Sequence, residues 1–378
     1  LTQEPIFAIN KMLWLKENEP EIYEKSSKWV IIANYIAWKL SGEQVTDYSL
    51  ACRTLAFDLQ KLKWSKEIIE ELDLKKSFFP EVRPTGSKLN YVKDDASRQT
   101  GLSTDCIVGV GGHDHPLSAL ITGAIKYGVM SNSIGTAECL LTGIEKPSFD
   151  LRLIDLGFAE HVIVSSDRQY YYLFGSIWTT SASIDWIKNI VAGKESFSEI
   201  INKVKAIPSG ANGVNFFPHL RFGSPPNPVQ NSRGAFTGLS TDTDSSTLLR
   251  AVLEGVSLDT KHVFETMIKQ LNTSYEEILT TGGATQNKLL LQIRSDILNK
   301  KLKVINLVET VSLGAAFSGA IAAGYFSSFD EVIENLDFET EIINPNENNT
   351  VFYDRLYQDI FVPVLENILK INELSLKK

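Results

Sequence analysis

The stretch Cys106-Ile107-Val108-Gly109-Val110-Gly111-Gly112-His113-Asp114-His115-Pro116 limits what this chain can fold into more than any other. Its first half is a short apolar run ending in glycines, the pattern of a buried strand that meets a tight turn. Its second half, from Pro116 to Lys126, has Pro near a helix start and apolar residues at helical spacing. Asp114 therefore falls between strand end and helix start, where glycines let another molecule approach the backbone closely. A carboxylate there can accept a proton from a bound hydroxyl. It can also simply cap the following helix.

The 378 residues are 43% hydrophobic and 22% charged, enough for two domains around a sizeable core. A formal charge of -9 without a basic stripe argues against a nucleic-acid partner. Cys52, Cys106 and Cys139 lie far apart and show no pair spacing, which points to free thiols filling the core in a reducing, cytoplasmic compartment. Residues 1–20 carry too many charges for a signal peptide, and the apolar run from Trp29 to Leu40 is too short to cross a bilayer, so no membrane partner is expected. A homodimer is compatible with this composition. The chain opens at Leu1 without a Met and runs straight into helical sequence, so a missing N-terminal segment is expected.

Apolar spacing predicts helices over residues 6–17, 28–40, 93–102, 180–191 and 245–270, the last with Ser245 or Ser246 as N-cap. Residues 128–143 read as two strands joined by a turn at 134–137, and residues 160–174 as another pair turning near Arg168. Residues 208–240 are mostly loop, and a loop of that length is more often functional than idle. The final third alternates strand and helix (277–281, 287–299, 303–306, 312–324), which favours parallel strands with crossover helices, and a last helix covers 351–371. Arg250 and Glu254 stand at ion-pairing distance on one helix. Trp14, Trp29, Trp38 and Trp64 read as packing residues. The class is α/β.

Two further glycine turns carry candidate chemistry. Ser131-Asn132-Ser133-Ile134-Gly135-Thr136-Ala137 is a hairpin able to offer backbone N–H groups and Thr136 to a phosphate, or to be a plain turn. Thr280-Thr281-Gly282-Gly283-Ala284-Thr285-Gln286-Asn287 sets a double glycine at a strand's carboxyl end just before a helix, where nucleotides commonly bind in α/β sheets. Asn287 is also a ready N-cap, and the pattern is neither a P-loop nor a six-residue dinucleotide fingerprint. His113 and His115 invite a zinc reading, but the remaining histidines, His161, His219 and His262, have no obvious spacing partner. A hard cation held by carboxylate and phosphate oxygens fits better.

Taken in order, these pieces resemble the FGGY carbohydrate kinases, the family of glycerol kinase and xylulokinase. The match runs through Trp14-Leu15, Asn18-Glu19-Pro20-Glu21, Leu40-Ser41-Gly42, Thr46-Asp47-Tyr48-Ser49 and Gly111-Gly112-His113-Asp114. It continues through Ile134-Gly135-Thr136, Ser183-Ile184-Asp185-Trp186, Ser232-Arg233-Gly234-Ala235-Phe236 and Arg250-Ala251-Val252-Leu253-Glu254-Gly255. It closes with Gly282-Gly283-Ala284, Asn287 and Ser312-Leu313-Gly314-Ala315-Ala316.

The resemblance implies an actin-like ATPase architecture, two ribonuclease-H-like domains with a cleft between them. Residues 1–125 would be the remainder of an incomplete N-terminal substrate domain and residues 126–378 the C-terminal nucleotide-binding domain. It implies transfer of a phosphoryl group from ATP, with Mg2+, to a sugar or polyol hydroxyl. Asp114 matches the catalytic base, and His113 and His115 stand beside the substrate. Gly135 and Thr136 match a phosphate-contacting turn, Gly282, Gly283 and Asn287 the adenosine turn, and Ser181 and Asp185 fall near the nucleotide. The family's opening Asp-x-Gly-Thr-type phosphate loop has no counterpart here, so the chain is expected to be inactive alone. Gly223-Ser224-Pro225 replaces the frequent Gly-Glu-Arg, which suggests a subgroup apart from typical xylulokinases. The rival readings are a non-catalytic actin-like nucleotide-binding protein and a metal hydrolase built on His113 and His115.

Overall fold

The computed structural model describes residues 6–135, 137–166, 168–191, 197–307 and 309–376. Its centre is a seven-stranded sheet in the order Thr340–Ile343, Lys301–Ile305, Glu277–Thr281, Met130–Ile134, Glu138–Ile144, Gln169–Ile177, Phe158–Val164. Strands 130–134, 138–144 and 169–177 form an antiparallel run, while 277–281 lies parallel to 130–134 and 301–305 parallel to 277–281. That core is the ribonuclease-H-type arrangement implied for the second lobe, with an extra strand at each edge. Strand 138–144 is buried along almost its whole length because helices cover both faces, which explains its continuous apolar run.

Successive side chains point to opposite faces of the sheet. On one face Cys139, Leu141, Ile163, Tyr172 and Phe174 pack with Leu117, Leu120 and Ile121 of the helix Asp114–Ile121. On the other, Leu140, Leu173 and Ile177 meet Val263, Phe264 and Met267 of the long helix Ser245–Leu271. One rung of backbone pairing crosses the sheet: Thr281 opposite Ser133, Ser133 opposite Cys139, Cys139 opposite Ser176.

Residues 6–113 build short helices and two-stranded pieces. Val45–Asp47 runs parallel to Glu81–Arg83, and Lys88–Tyr91 pairs antiparallel with Ile107–Gly109. The helix Thr310–Ala322 lies against Gly109 of this part and against Leu117 of the helix that follows it. A Cβ on Gly109 would sit 2.8 Å from the Ala322 Cβ, and one on Gly314 would sit 2.9 Å from both the Leu117 side chain and its carbonyl oxygen. Packing so close leaves no room for a side chain.

Several expectations shift. The second predicted helix starts at Ile32, not 28, because the β-branched Ile31 before it is extended. The helix after the central strand starts at Asp114 and stops at Ile121, which puts Pro116 in the first turn, where a missing N–H costs nothing. Asp244, not Ser245 or Ser246, caps the long helix; its carboxylate accepts from the Thr247 N–H at 2.8 Å. The last helical region begins at Glu347 and loosens into a wide turn at Tyr357–Phe361 before resuming. Trp14 and Cys106 are exposed and fill no core. No helix among the described residues is long and apolar enough to cross a membrane.

Two buried polar networks lock this frame. Arg250 and Glu254 pair at 2.6 Å, and the Tyr353 hydroxyl donates to Glu254 at 2.8 Å. Deeper, Arg294 and Glu138 form a fully buried ion pair; Glu138 also accepts from Asn132 Nδ2 at 2.7 Å and Thr260 Oγ1 at 3.0 Å. Removing one partner of a buried pair leaves the other charge uncompensated. We expect Arg294→Met to destabilise the protein by about 3–5 kcal/mol in urea denaturation. A loss below about 1 kcal/mol would show that Glu138 finds other compensation.

Candidate active site

Asp114 stands where the sequence places it, at the first position of its helix directly after Gly111-Gly112-His113. What fixes this corner lies far away in sequence. The His113 N–H donates to Ser49 Oγ at 2.8 Å, and a Cβ on Gly112 would press on the same oxygen at 3.1 Å. Ser49 is held in turn by Asp47, whose Oδ1 accepts from the Ser49 N–H at 2.8 Å, the Leu50 N–H at 3.1 Å and the Ser49 hydroxyl. Asp47 is buried, and that desolvation pushes its carboxyl up to about 6 against the pull of those hydrogen bonds.

The Asp114 side chain is 58% exposed, and its Oδ1 accepts from the His115 N–H at 2.7 Å. Partial burial pulls its pKa upward, but His115, His113, that N–H and Arg53 together hold it below the ordinary 3.8. His113 Nε2 lies 3.4 Å from Asp114 Oδ1, yet burial, helped by Arg53, holds His113 down to about 3. At neutral pH an ionised Asp114 therefore sits beside neutral imidazoles. His115 is also held down by burial; its Nδ1 is 3.3 Å from Cys139 Sγ and its ring 5.6 Å from that of Phe174. These contacts place the Asp114 corner over strands 138–144 and 169–177.

The two glycine turns lie side by side, because strands 130–134 and 277–281 are parallel neighbours ending on one rung. Gly282 has φ +100°, and a Cβ there would meet the Ile134 carbonyl oxygen at 2.5 Å, so only glycine brings the turns this close. Gly283 is open, with nothing among the described residues within 4 Å of where a Cβ would stand. Asn287 Oδ1 accepts from the Leu290 N–H at 3.2 Å and caps the helix Lys288–Leu298. Thr136 lies outside the described residues. The helix Thr180–Val191, which carries half-buried Ser181 and exposed Asp185, follows strand 169–177, whose Ile177 pairs with Glu138 just past the Gly135 turn. Its start therefore joins the same end of the sheet.

The rings of His113 and His115 are 6.1 Å apart, and among the described residues no three His, Cys, Asp or Glu side chains are grouped to hold a metal. Sequence reasoning passed over Asp47, Ser49, Arg53, His161 and Phe174 as site residues. The polar turn 46–49 was visible, but nothing in its spacing ties it to residue 113.

A two-lobed α/β phosphotransferase of actin-like architecture is the class these features define. Residues 1–121 match the N-terminal domain, and residues 130–323 the C-terminal domain, of the FGGY family of carbohydrate kinases. A xylulose kinase of Bacillus subtilis is 27% identical over 351 residues, 93% of this chain and 69% of that enzyme. Glycerol kinase 2 of Saccharolobus solfataricus is 28% identical over 353 residues, 91% of this chain and 68% of that enzyme. The solved xylulose kinase from Lactobacillus acidophilus shares the fold, with a TM-score of 0.83 at 24% identity, covering 97% of this chain and 72% of that one. The chain belongs to the FGGY family and is a carbohydrate kinase.

The raised carboxyl of Asp47 gives a pH signature. Between 3.8 and about 6 the folded chain keeps a proton there that the unfolded chain has lost, so stability falls as pH rises through that window. Relative to Asp47→Asn, the parent protein should lose about 3 kcal/mol across it and run parallel above it. Parallel stability curves from pH 4 to 7 would show that Asp47 titrates normally.

Proposed function

We propose that this kinase transfers the terminal phosphoryl group of ATP to a hydroxyl of a sugar or polyol, with Asp114 as general base. The observation that carries the reading is the exposed, ionised Asp114 set over strand 138–144, one strand away from the Gly135 turn and two from the Gly282-Gly283 turn. Asp114 accepts the acceptor hydroxyl's proton, which phosphoryl transfer requires of one side chain. His113 and His115, neutral and half-buried beside it, are placed to hydrogen-bond that acceptor.

The nucleotide fits what the turns offer. At Gly135 and Gly282-Gly283 the backbone approaches without side chains, and the capped start of Lys288–Leu298 adds amide donors for phosphate or ribose oxygens. Asp114 is the open carboxylate of this corner, which suits a magnesium ion held largely by phosphate oxygens and water. Such an ion, when bound with ATP, neutralises the charge that builds on the transferred group. Residues 1–125 would serve as the acceptor domain and 126–378 as the nucleotide domain, with closure between them excluding water.

Asp114→Asn should lower phosphoryl transfer by about 10²–10⁴-fold and leave ADP affinity, measured by calorimetry, within about twofold. Turnover close to that of the parent protein would remove Asp114 from the base role.

A further inference from the structure

The Arg53 guanidinium has no obvious task in the fold. It sits half-buried on the turn Cys52–Thr54 and makes no hydrogen bond or ion pair among the described residues. Its charge is nevertheless felt at Asp114, His113, His115 and His161. With His161, Phe174, Ser176 and Trp178 it lines a cavity of about 60 Å³. That cavity shares walls with a pocket of about 280 Å³ at Trp178 and Gly223, and with one of about 430 Å³ at His161 and Gly157.

His161 supplies a second, independent sign of a ligand. It is only 4% exposed and its Nδ1 faces Cys52 Sγ at 3.4 Å, but its Nε2 is buried with no partner among the described residues. A buried polar atom without a partner is costly unless something binding there satisfies it.

The position of this cavity decides which substrate it serves. Along the rung Thr281, Ser133, Cys139, Ser176, the nucleotide turns follow the first two residues, His115 touches the third, and the fourth lines the cavity. Three strand spacings separate the ends of that rung, about 14 Å. Asp114 thus stands between the donor turns and the Arg53 cavity. An acceptor whose hydroxyl is at Asp114 extends its far end toward Arg53 and His161.

Among the described residues, none of those lining the small cavity is acidic. The carboxylates of the 430 Å³ pocket are already engaged: Asp58 by the Gln60 and Lys61 N–H groups, Asp150 by Arg152, Glu160 by the Ser148 and Phe149 N–H groups. A neutral polyol would leave the guanidinium uncompensated, whereas a carboxylate pairs with it through two parallel hydrogen bonds.

We propose that the acceptor is a sugar acid, a polyhydroxylated carboxylate whose carboxylate is bound by Arg53 with His161 at the end remote from the phosphorylated hydroxyl. This rests on the phosphoryl-transfer reading and narrows its substrate class.

The test uses matched pairs, D-gluconate against D-glucitol and D-xylonate against D-xylitol, with D-xylulose as a neutral ketose. Binding to the full-length protein is measured by calorimetry in the presence of ADP, and turnover is measured with ATP. An acid should bind at least tenfold tighter than its polyol. Arg53→Gln should abolish that preference while keeping ADP affinity; Arg53→Lys should keep part of it.

Equal or tighter binding of the neutral compounds, binding by none of them, or an unchanged preference in Arg53→Gln overturns the proposal. So does a fall in kcat of equal size on every acceptor, which would assign Arg53 to the transferred phosphoryl group. Acid-selective binding without phosphorylation of any acceptor would instead defeat the kinase reading of the site and leave the acid pocket standing.

Discussion

The buried pair between Glu138 and Arg294 is the constraint on which the rest of the structure depends. Glu138 opens the strand that follows the Gly135 turn, and Arg294 belongs to the helix that follows the Gly282-Gly283 turn. Asn132 on the neighbouring strand and Ser257 and Thr260 on the long helix complete the set at 2.7–3.3 Å. Four elements are thereby fixed directly beneath the two turns. Such a pair contributes little net stability against an apolar replacement, since both charges must be desolvated. We read its value here as geometry, because it holds the two glycine turns in one register.

The proposed site separates its tasks across the sheet. Backbone amides at the glycine turns present positive partial charge without adding an ionisable group. One strand further, Asp114 keeps its negative charge because His115, His113, the His115 N–H and Arg53 together outweigh the upward pull of partial burial. Beyond it stand Arg53 and His161. The corner that carries Asp114 is positioned from the first lobe, through the chain of contacts from Asp47 to Ser49 to the His113 N–H. Any movement of that first-lobe segment is therefore transmitted to Asp114 through this turn.

Much of this was legible in the sequence where a local signal existed. The hairpin around Gly135, the strand pair 158–177, the parallel strands 277–281 and 301–305 and the cap at Asn287 all follow from turn residues and apolar period. The strand-to-helix corner at Asp114 did too, although Pro116 drew the expected helix start two residues late. Asp47, Ser49, Arg53 and His161 stayed hidden because their roles come from contacts 64 to 109 residues away in sequence, as Ser49 to His113 and Cys52 to His161 show. The Glu138–Arg294 pair, 156 residues apart, gave no periodic sign at all. Exposed Trp14 marks the opposite error, since hydrophobicity alone does not say whether a partner surface lies within the chain.

The proposed site is ordered in space: nucleotide at the paired glycine turns, proton acceptor next to them, acceptor substrate beyond. A crystal structure with magnesium and a non-hydrolysable ATP analogue tests it most directly. The phosphates should lie against the backbone of the Gly135 and Gly282-Gly283 turns, with the terminal phosphate directed at Asp114. Phosphates bound elsewhere, or a terminal phosphate pointing away from Asp114, would contradict it.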